Sequence, residues 1–135
     1  MRIYLDPNYT PPVIRLIQSL HSLEFPETFE VVTGQWSKEY HNSDTAVFLL
    51  DTNKKGLNTI TIDHYQEGYK VVAFKKPTGS AFDPFICALT LLSQWKRILS
   101  DLENVEGRLL ISIGSGKHPY RDVFKDGGKK ELSLD

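Results

Sequence analysis

The segment RIYLDPNYTPP, residues 2–12, decides how the fold begins. Its apolar run at residues 3–5 is typical of a strand that a parallel sheet buries on both faces. Asp6 follows at the end of this strand, and Pro7 and Asn8 break it. Thr10 is a candidate N-cap for a helix that the paired prolines begin. Because open α/β sheets bind ligands at the carboxyl ends of their strands, Asp6 is a candidate site residue.

The rest of the chain alternates strand and helix patterns. Apolar runs predict strands at 29–33, 45–50, 69–74 and 109–113, and Asp83 begins a helical pattern that ends near Asn104. Residues 57–69 are ambiguous, since their β-branched alternation favours a strand and their position between two strands favours a helix. This alternation predicts a three-layer α/β/α sandwich around a mostly parallel sheet of about five strands. We expect one domain at residues 1–124 and a flexible C-terminal tail at residues 125–135.

Composition excludes several classes of protein. The 135 residues suffice for one domain, and the net charge of −1 argues against nucleic-acid binding by bulk charge alone. Cys87 is the single cysteine, so no intramolecular disulfide can form. The apolar runs are too short to cross a membrane, and we expect a cytoplasmic protein without membrane contact.

Five acidic residues are candidates for a metal site. Asp6 and Asp51 both follow strands, and parallel strands would bring their carboxylates to the same edge of the sheet. Glu39, Asp44 and Asp63 lie in loops or short elements beside these strand ends. Such oxygen ligands suit Mg²⁺ or Mn²⁺, and the cluster would support attack of a metal-activated water on a phosphodiester. The alternative is that these aspartates cap helices and form turns.

Two other patterns carry less weight. The segment GSGK at residues 114–117 is similar to a phosphate-binding loop, but Ile111 and His118 stand where the motif requires glycine and Ser/Thr, so we reject it. Basic residues of the C-terminal stretch, Arg121 among them, are interpreted as a solvated tail. The alternative is that they steer a phosphate backbone.

Three motifs resemble a known family. The segment IYLDPN at residues 3–8, followed by Pro11 and Pro12, resembles the opening of PIN-like domains of the VapC-like toxin kind. The segment VFLLD at residues 47–51 resembles the family's later strand with its acidic end. The segment VAFKKP at residues 72–77 resembles its hydrophobic strand closed by a basic residue and proline.

The resemblance implies a function and a set of site residues. Asp6 and Asp51 would bind the metal, the second acid would be Glu39 or Asp44, and Asp63 would be the fourth. The implied activity is that of a Mg²⁺- or Mn²⁺-dependent endoribonuclease, the toxin of a toxin–antitoxin pair. Its partners would be an RNA substrate and an antitoxin protein, with a homodimer as an open alternative.

Two other functions stay open at this point. The segment between residues 33 and 45 is shorter than the family's helix there, and residues 58–62 lack the family's basic side chains. A PIN-like binding module without turnover is therefore the first alternative. A receiver-like phosphoacceptor domain, with Asp51 as acceptor and Lys76 nearby, ranks third.

Overall fold

One sheet organises the part of the chain that the computed structural model describes, which comprises residues 1–25, 29–37, 40, 44–53, 56–77 and 79–128. Its strands are β1 (Arg2–Leu5), β2 (Glu30–Thr33), β3 (Thr45–Asp51), β4 (Lys70–Lys75), β5 (Leu109–Gly114) and β6 (Tyr120–Lys125). Their order is β2-β1-β3-β4-β5-β6, and every pair is parallel except β5–β6. The first five strands have the order of flavodoxin-like doubly wound sheets.

Four α-helices accompany these strands in the described ranges: α1 (Pro11–Glu24), α2 (Thr59–Gln66), α3 (Pro84–Ser93) and α4 (Trp95–Asn104). The predicted α/β/α sandwich is confirmed, and the ambiguous segment is the helix α2. The sheet has six strands rather than about five because the chain turns back after β5 and adds β6 antiparallel to it. This strand reaches Lys125, the first residue of the expected tail, and Asp126 beyond it pairs with Arg108 at 2.8 Å.

The two faces of the sheet have different covers. The first face, towards which Leu5, Phe48 and Ile111 point, packs against α1, α3 and α4. The second face, towards which Tyr4 and Val47 point, packs against α2 and a loop that carries Trp36 and Tyr40. The apolar side chains of the sheet are thus buried by three helices on one side and by one short helix and a loop on the other.

This asymmetry follows from the path of the chain. The β1–α1–β2 connection crosses the first face of the sheet in one direction. The β3–α2–β4 connection crosses the second face in the opposite direction. Because both the face and the direction are reversed, these two crossover connections have the same handedness. The β4-to-β5 connection moves in the same direction as β3–α2–β4 but crosses the first face through α3 and α4. It therefore has the opposite hand, whereas about 98% of such crossovers share one hand.

The predicted single helix from Asp83 to Asn104 is broken at Gln94. No proline or glycine causes the break. The Ser93 hydroxyl donates to the Thr90 carbonyl at 2.8 Å, and the Gln94 amide bonds to the Leu91 carbonyl in a 3₁₀ pattern, both of which tighten and bend a helix end. Cys87, on α3 before the break, is fully buried.

A histidine lies inside the first-face core, between α1 and α4. The Trp95 indole Nε1 donates to His21 Nδ1 at 3.1 Å, and His21 Nε2 lies 2.9 Å from the Phe29 carbonyl oxygen. Since Nδ1 accepts, Nε2 must carry the proton that it donates to Phe29, so the imidazole is neutral. His21 thus ties both helices to the start of β2.

The second-face loop acts as a lid. The ring of Trp36 makes edge contacts with Tyr4, Tyr40 and Tyr69 at centroid distances of 4.9, 5.3 and 5.9 Å. These contacts cover β1 and the start of β4 where no described helix lies. None of the helices in the described ranges is long and apolar enough to cross a membrane.

Candidate functional site

The strand order creates a groove at the carboxyl edge of the sheet. From β1 the chain leaves towards β2 on one side, and β3 lies on the other side, so the strand order reverses between β1 and β3. Open α/β sheets bind their ligands at such a point. A concavity of about 460 Å³ lies there, which we call the switch-point groove. Its wall contains Asp6, Asn8, Leu49, Leu50, Thr52, Asn58, Ile60, Thr61 and Phe82.

Asp6 lies in this wall, but backbone amides hold both of its carboxylate oxygens. Oδ1 accepts from the Asn8 amide at 2.8 Å and so caps the short 3₁₀ turn Pro7–Tyr9. Oδ2 accepts from the Leu50 amide at 2.9 Å, where β1 has already ended. The carboxylate therefore extends the β1–β3 ladder by one bond. This is the turn-forming role that the sequence left as the alternative.

Asp51 lies deeper and is fully buried, with 0% of its surface exposed. Its Oδ1 accepts from the Asn53 amide at 3.0 Å, and its Oδ2 accepts from the Asn58 amide at 2.7 Å and from the Thr61 hydroxyl at 3.2 Å. These bonds tie the β3–α2 loop and the start of α2 to the end of β3. Asp51 thus shapes the groove wall without lining the groove.

Of the other predicted acids, the structure describes Asp44 and Asp63. Asp44 precedes β3, and its carbonyl accepts from the Arg2 amide at 2.8 Å, so Asp44 lies at the amino edge of the sheet, opposite to Asp6. A residue before a parallel strand lies at the opposite edge of the sheet from a residue after one, so the structure does not bring Asp44, the expected further metal ligand, together with Asp6. Asp63 is exposed on α2. Glu39 lies outside the described residues.

The donor set does not fit a shared metal ion. In the register of β1 with β3, Asp6 is level with Leu49, which leaves Asp51 about 7 Å further along the strand. Both carboxylates already accept bonds on each oxygen. In the described part of the chain, no group of three or more His, Cys, Asp or Glu side chains could hold a metal ion.

Tyr9 and Thr10 follow Asp6 and Asn8 beside the switch-point groove. Tyr9 is fully buried and its hydroxyl donates to the Leu49 carbonyl at 2.8 Å; burial raises the pKa of Tyr9 well above its ordinary value. Thr10 follows with φ of 72° and ψ of 147°, a backbone conformation that L residues rarely adopt. It occupies the predicted N-cap position of α1, but its buried hydroxyl makes no cap bond and has no hydrogen-bond partner among the residues that the structure describes.

A second concavity, of about 340 Å³, lies on the second face between α2 and the strands β4, β5 and β6. We call it the second-face groove. Its wall contains Gly56, Leu57, Ile62, Lys75, Ser112, Arg121, Asp122 and Phe124. Two cations from different strands, Lys75 of β4 and Arg121 of β6, thus meet in one groove.

The sequence interpretation missed this groove because it missed β6. The segment GSGK is a hairpin loop between two strands, which confirms its rejection as a phosphate loop before a helix. The signal was present: a glycine-rich turn followed by the alternating segment YRDVF at residues 120–124 is typical of a hairpin. It would have placed Arg121 on the sheet rather than in a tail.

Comparison with known proteins gives no relative. No family model matches the chain, and no curated protein or solved structure matches it at a significant level. The two grooves and the PIN-like motifs of the sequence are the features that bear on function.

Proposed function

We propose that this protein is a PIN-like RNA-binding domain that holds single-stranded RNA in the switch-point groove without cleaving it. The observation that carries the proposal is the state of Asp51, which is buried and bonded by three donors. A carboxylate in this state supports the loop of a binding groove. It is not free to activate a metal-bound water.

The wall of the groove suits single-stranded nucleic acid. Phe82 offers an aromatic ring at its border, and aromatic rings are platforms on which bases stack without sequence preference. Asn8 and Thr52 add amide and hydroxyl groups for hydrogen bonds. Lys76 follows β4 at the same edge of the sheet and attracts a phosphate backbone.

A metal-dependent ribonuclease is the second candidate, and one observation favours it. The Asp6 carboxylate lines the groove, and each oxygen of an ionised carboxylate has a further lone pair beyond the one amide bond it accepts. In this case the protein would be a toxin that uses Mg²⁺ or Mn²⁺ and binds an antitoxin protein, with a homodimer as an alternative. The receiver-like alternative is weaker, because a phosphoacceptor must be accessible and Asp51 is not.

Binding and cleavage can be measured in one experiment. Fluorescence anisotropy with a labelled single-stranded RNA, in EDTA and in Mn²⁺, reports binding, and a denaturing gel of the same samples reports cleavage. We expect binding in both buffers and intact RNA. Phe82→Ala should weaken binding by about 5- to 150-fold, because a stacked base contributes about 1–3 kcal/mol.

Phe85→Ala is the matched control, since Phe85 is exposed on α3 and does not line the groove. The proposal fails if the RNA does not bind, or if Phe85→Ala weakens binding as much as Phe82→Ala. Mn²⁺-dependent cleavage that Asp6→Asn abolishes would replace it with the ribonuclease.

A further inference from the structure

We propose that the second-face groove binds a nucleotide, with Arg121 and Lys75 on its phosphate and its base against Phe124. The ligand chemistry is a phosphate monoester joined to a planar base. A free mononucleotide and the phosphorylated end of an RNA strand both carry it. This proposal does not depend on RNA binding in the switch-point groove.

The two cations are held in place by neutral groups. Arg121 Nη2 donates to the Ser115 carbonyl at 2.8 Å, and Lys75 Nζ donates to the Gly56 carbonyl. These bonds orient the charged groups without neutralising them. A guanidinium has five N–H donors and an ammonium has three, so both keep donors for a ligand. The planar fork of Arg121 matches two oxygens of a phosphate.

Gly114 makes room for the guanidinium. A Cβ atom at this position would lie 2.5 Å from Arg121 Cζ and 2.5 Å from its Nε, closer than real side-chain contacts. Arg121 can therefore lie flat over the end of β5 only because residue 114 has no side chain.

The rest of the groove suits a base. Leu57, Ile62 and Phe124 give it apolar walls, and the half-buried ring of Phe124 offers a surface for a planar group. Asp122 adds a carboxylate, which can accept hydrogen bonds from an exocyclic amino group. The volume of about 340 Å³ is at the lower end of the range for small-molecule sites, as expected for a ligand of mononucleotide size.

Isothermal titration calorimetry on the full chain tests the assignment with AMP, GMP, CMP and UMP, and with adenosine as a ligand without phosphate. We expect binding of at least one mononucleotide and at least tenfold weaker binding of that nucleotide to Arg121→Gln and to Lys75→Gln. Lys117→Gln, in the hairpin loop but outside the groove, should bind as the wild type does. If adenosine binds as tightly as AMP, the phosphate assignment is wrong.

A double-mutant cycle tests the role of Gly114. Gly114→Ala displaces the guanidinium without removing its charge, so it should weaken binding in the wild-type background and have no further effect in Arg121→Gln. An equal loss in both backgrounds would contradict the assignment. Should Gly114→Ala not fold, the exposed Arg121→Gln variant decides, and wild-type affinity there overturns the proposal.

Two oligonucleotides distinguish the sources of the ligand. A tetraribonucleotide with a 5′-phosphate is compared with the same sequence carrying a 5′-hydroxyl. Tighter binding of the phosphorylated strand, lost in Arg121→Gln, assigns the groove to RNA ends. Binding of mononucleotides alone, with the same dependence on Arg121, assigns it to free nucleotides. If neither mononucleotides nor the phosphorylated strand binds, the proposal is wrong.

Discussion

The two faces of the sheet receive similar strands but different covers. On the first face, α1, α3 and α4 bury a continuous apolar core that includes Phe48, Leu91 and Ile111. On the second face, α2 and the Trp36 lid bury a smaller core around Tyr65, and the second-face groove lies beside that core. The difference arises from one connection. Had the β4-to-β5 crossover the common hand, α3 and α4 would lie over the second-face groove.

The side chains of the strands agree with this difference. Along β4 the first-face residue Phe74 is followed by the second-face residue Lys75. Along β6 the first-face residue Val123 lies between the second-face residues Asp122 and Phe124. The first face is apolar along these strands, whereas the second becomes polar at the carboxyl end of β4 and at the start of β6. The first face therefore carries most of the apolar core, and the polar side chains at these two strand ends lie on the second face.

The largest expected loss of stability comes from the buried side of α3, and a substitution on its exposed side is the control. Leu91 is 0% exposed and Leu89 is 51% exposed on the same helix. We expect Leu91→Ala to lower the free energy of unfolding by about 2–5 kcal/mol. Leu89→Ala should change it by less than about 0.5 kcal/mol. Urea denaturation of both variants measures the difference, and equal losses would show that the outer side of α3 is also covered.

A smaller loss of stability is expected from substitutions of Asp51 and Asp6 at the carboxyl edge of the sheet. Asp51→Asn replaces one carboxylate oxygen by an amide group that faces the donors of the β3–α2 loop. We expect a loss of about 2–3 kcal/mol, because hydrogen bonds to charged groups contribute about 1.5–3 kcal/mol. Asp6→Asn, with two amide donors at the groove surface, should lose less. Urea denaturation measures both variants, with amide hydrogen exchange at Asn58 as a local probe.

The opposite result would be equally informative. If either variant is more stable than the wild type, repulsion between the two carboxylates outweighs their bonds to the loop. That outcome would favour the metal-site interpretation of these aspartates.

The sequence predicts the elements better than it predicts their relations. Apolar runs locate β1 to β5 to within a residue or so, and strand ends correctly place Asp6 and Asp51 after their strands. The partners of these carboxylates are not predictable in the same way, since the Leu50 amide is 44 residues from Asp6. The break at Gln94 depends on local hydroxyl bonding, and the hand of a crossover leaves no periodic signal.

A third prediction concerns the pH dependence of the first-face core. Burial raises the pKa of the Cys87 thiol to about 12, from an ordinary value of 9.0. Between these values the unfolded chain has lost the proton that the native state keeps, so the free energy of unfolding falls as pH rises. From pH 8 to pH 10 the wild type should lose about 1.4 kcal/mol more than Cys87→Ala, as urea denaturation at both pH values would show. Parallel losses in the two proteins would mean that the thiol ionises in the native state as it does in the unfolded chain.

The smallest effect tests whether the carboxyl edge stores strain that the first face does not. Thr10 combines a φ of 72° with a buried hydroxyl that has no hydrogen-bond partner in the described part of the chain, directly before the first turn of α1. A non-glycine residue in such a conformation costs about 1–3 kcal/mol. Glycine avoids this strain, but its larger loss of chain entropy on folding offsets part of the gain in stability. We therefore expect Thr10→Gly to raise the free energy of unfolding by about 1 kcal/mol. Thr10→Ala is the matched control, because it removes the hydroxyl and keeps the strain, so it should gain less than Thr10→Gly. A Thr10→Gly variant less stable than Thr10→Ala in thermal and urea denaturation would show that residue 10 is unstrained, and that the two regions differ only in their covers.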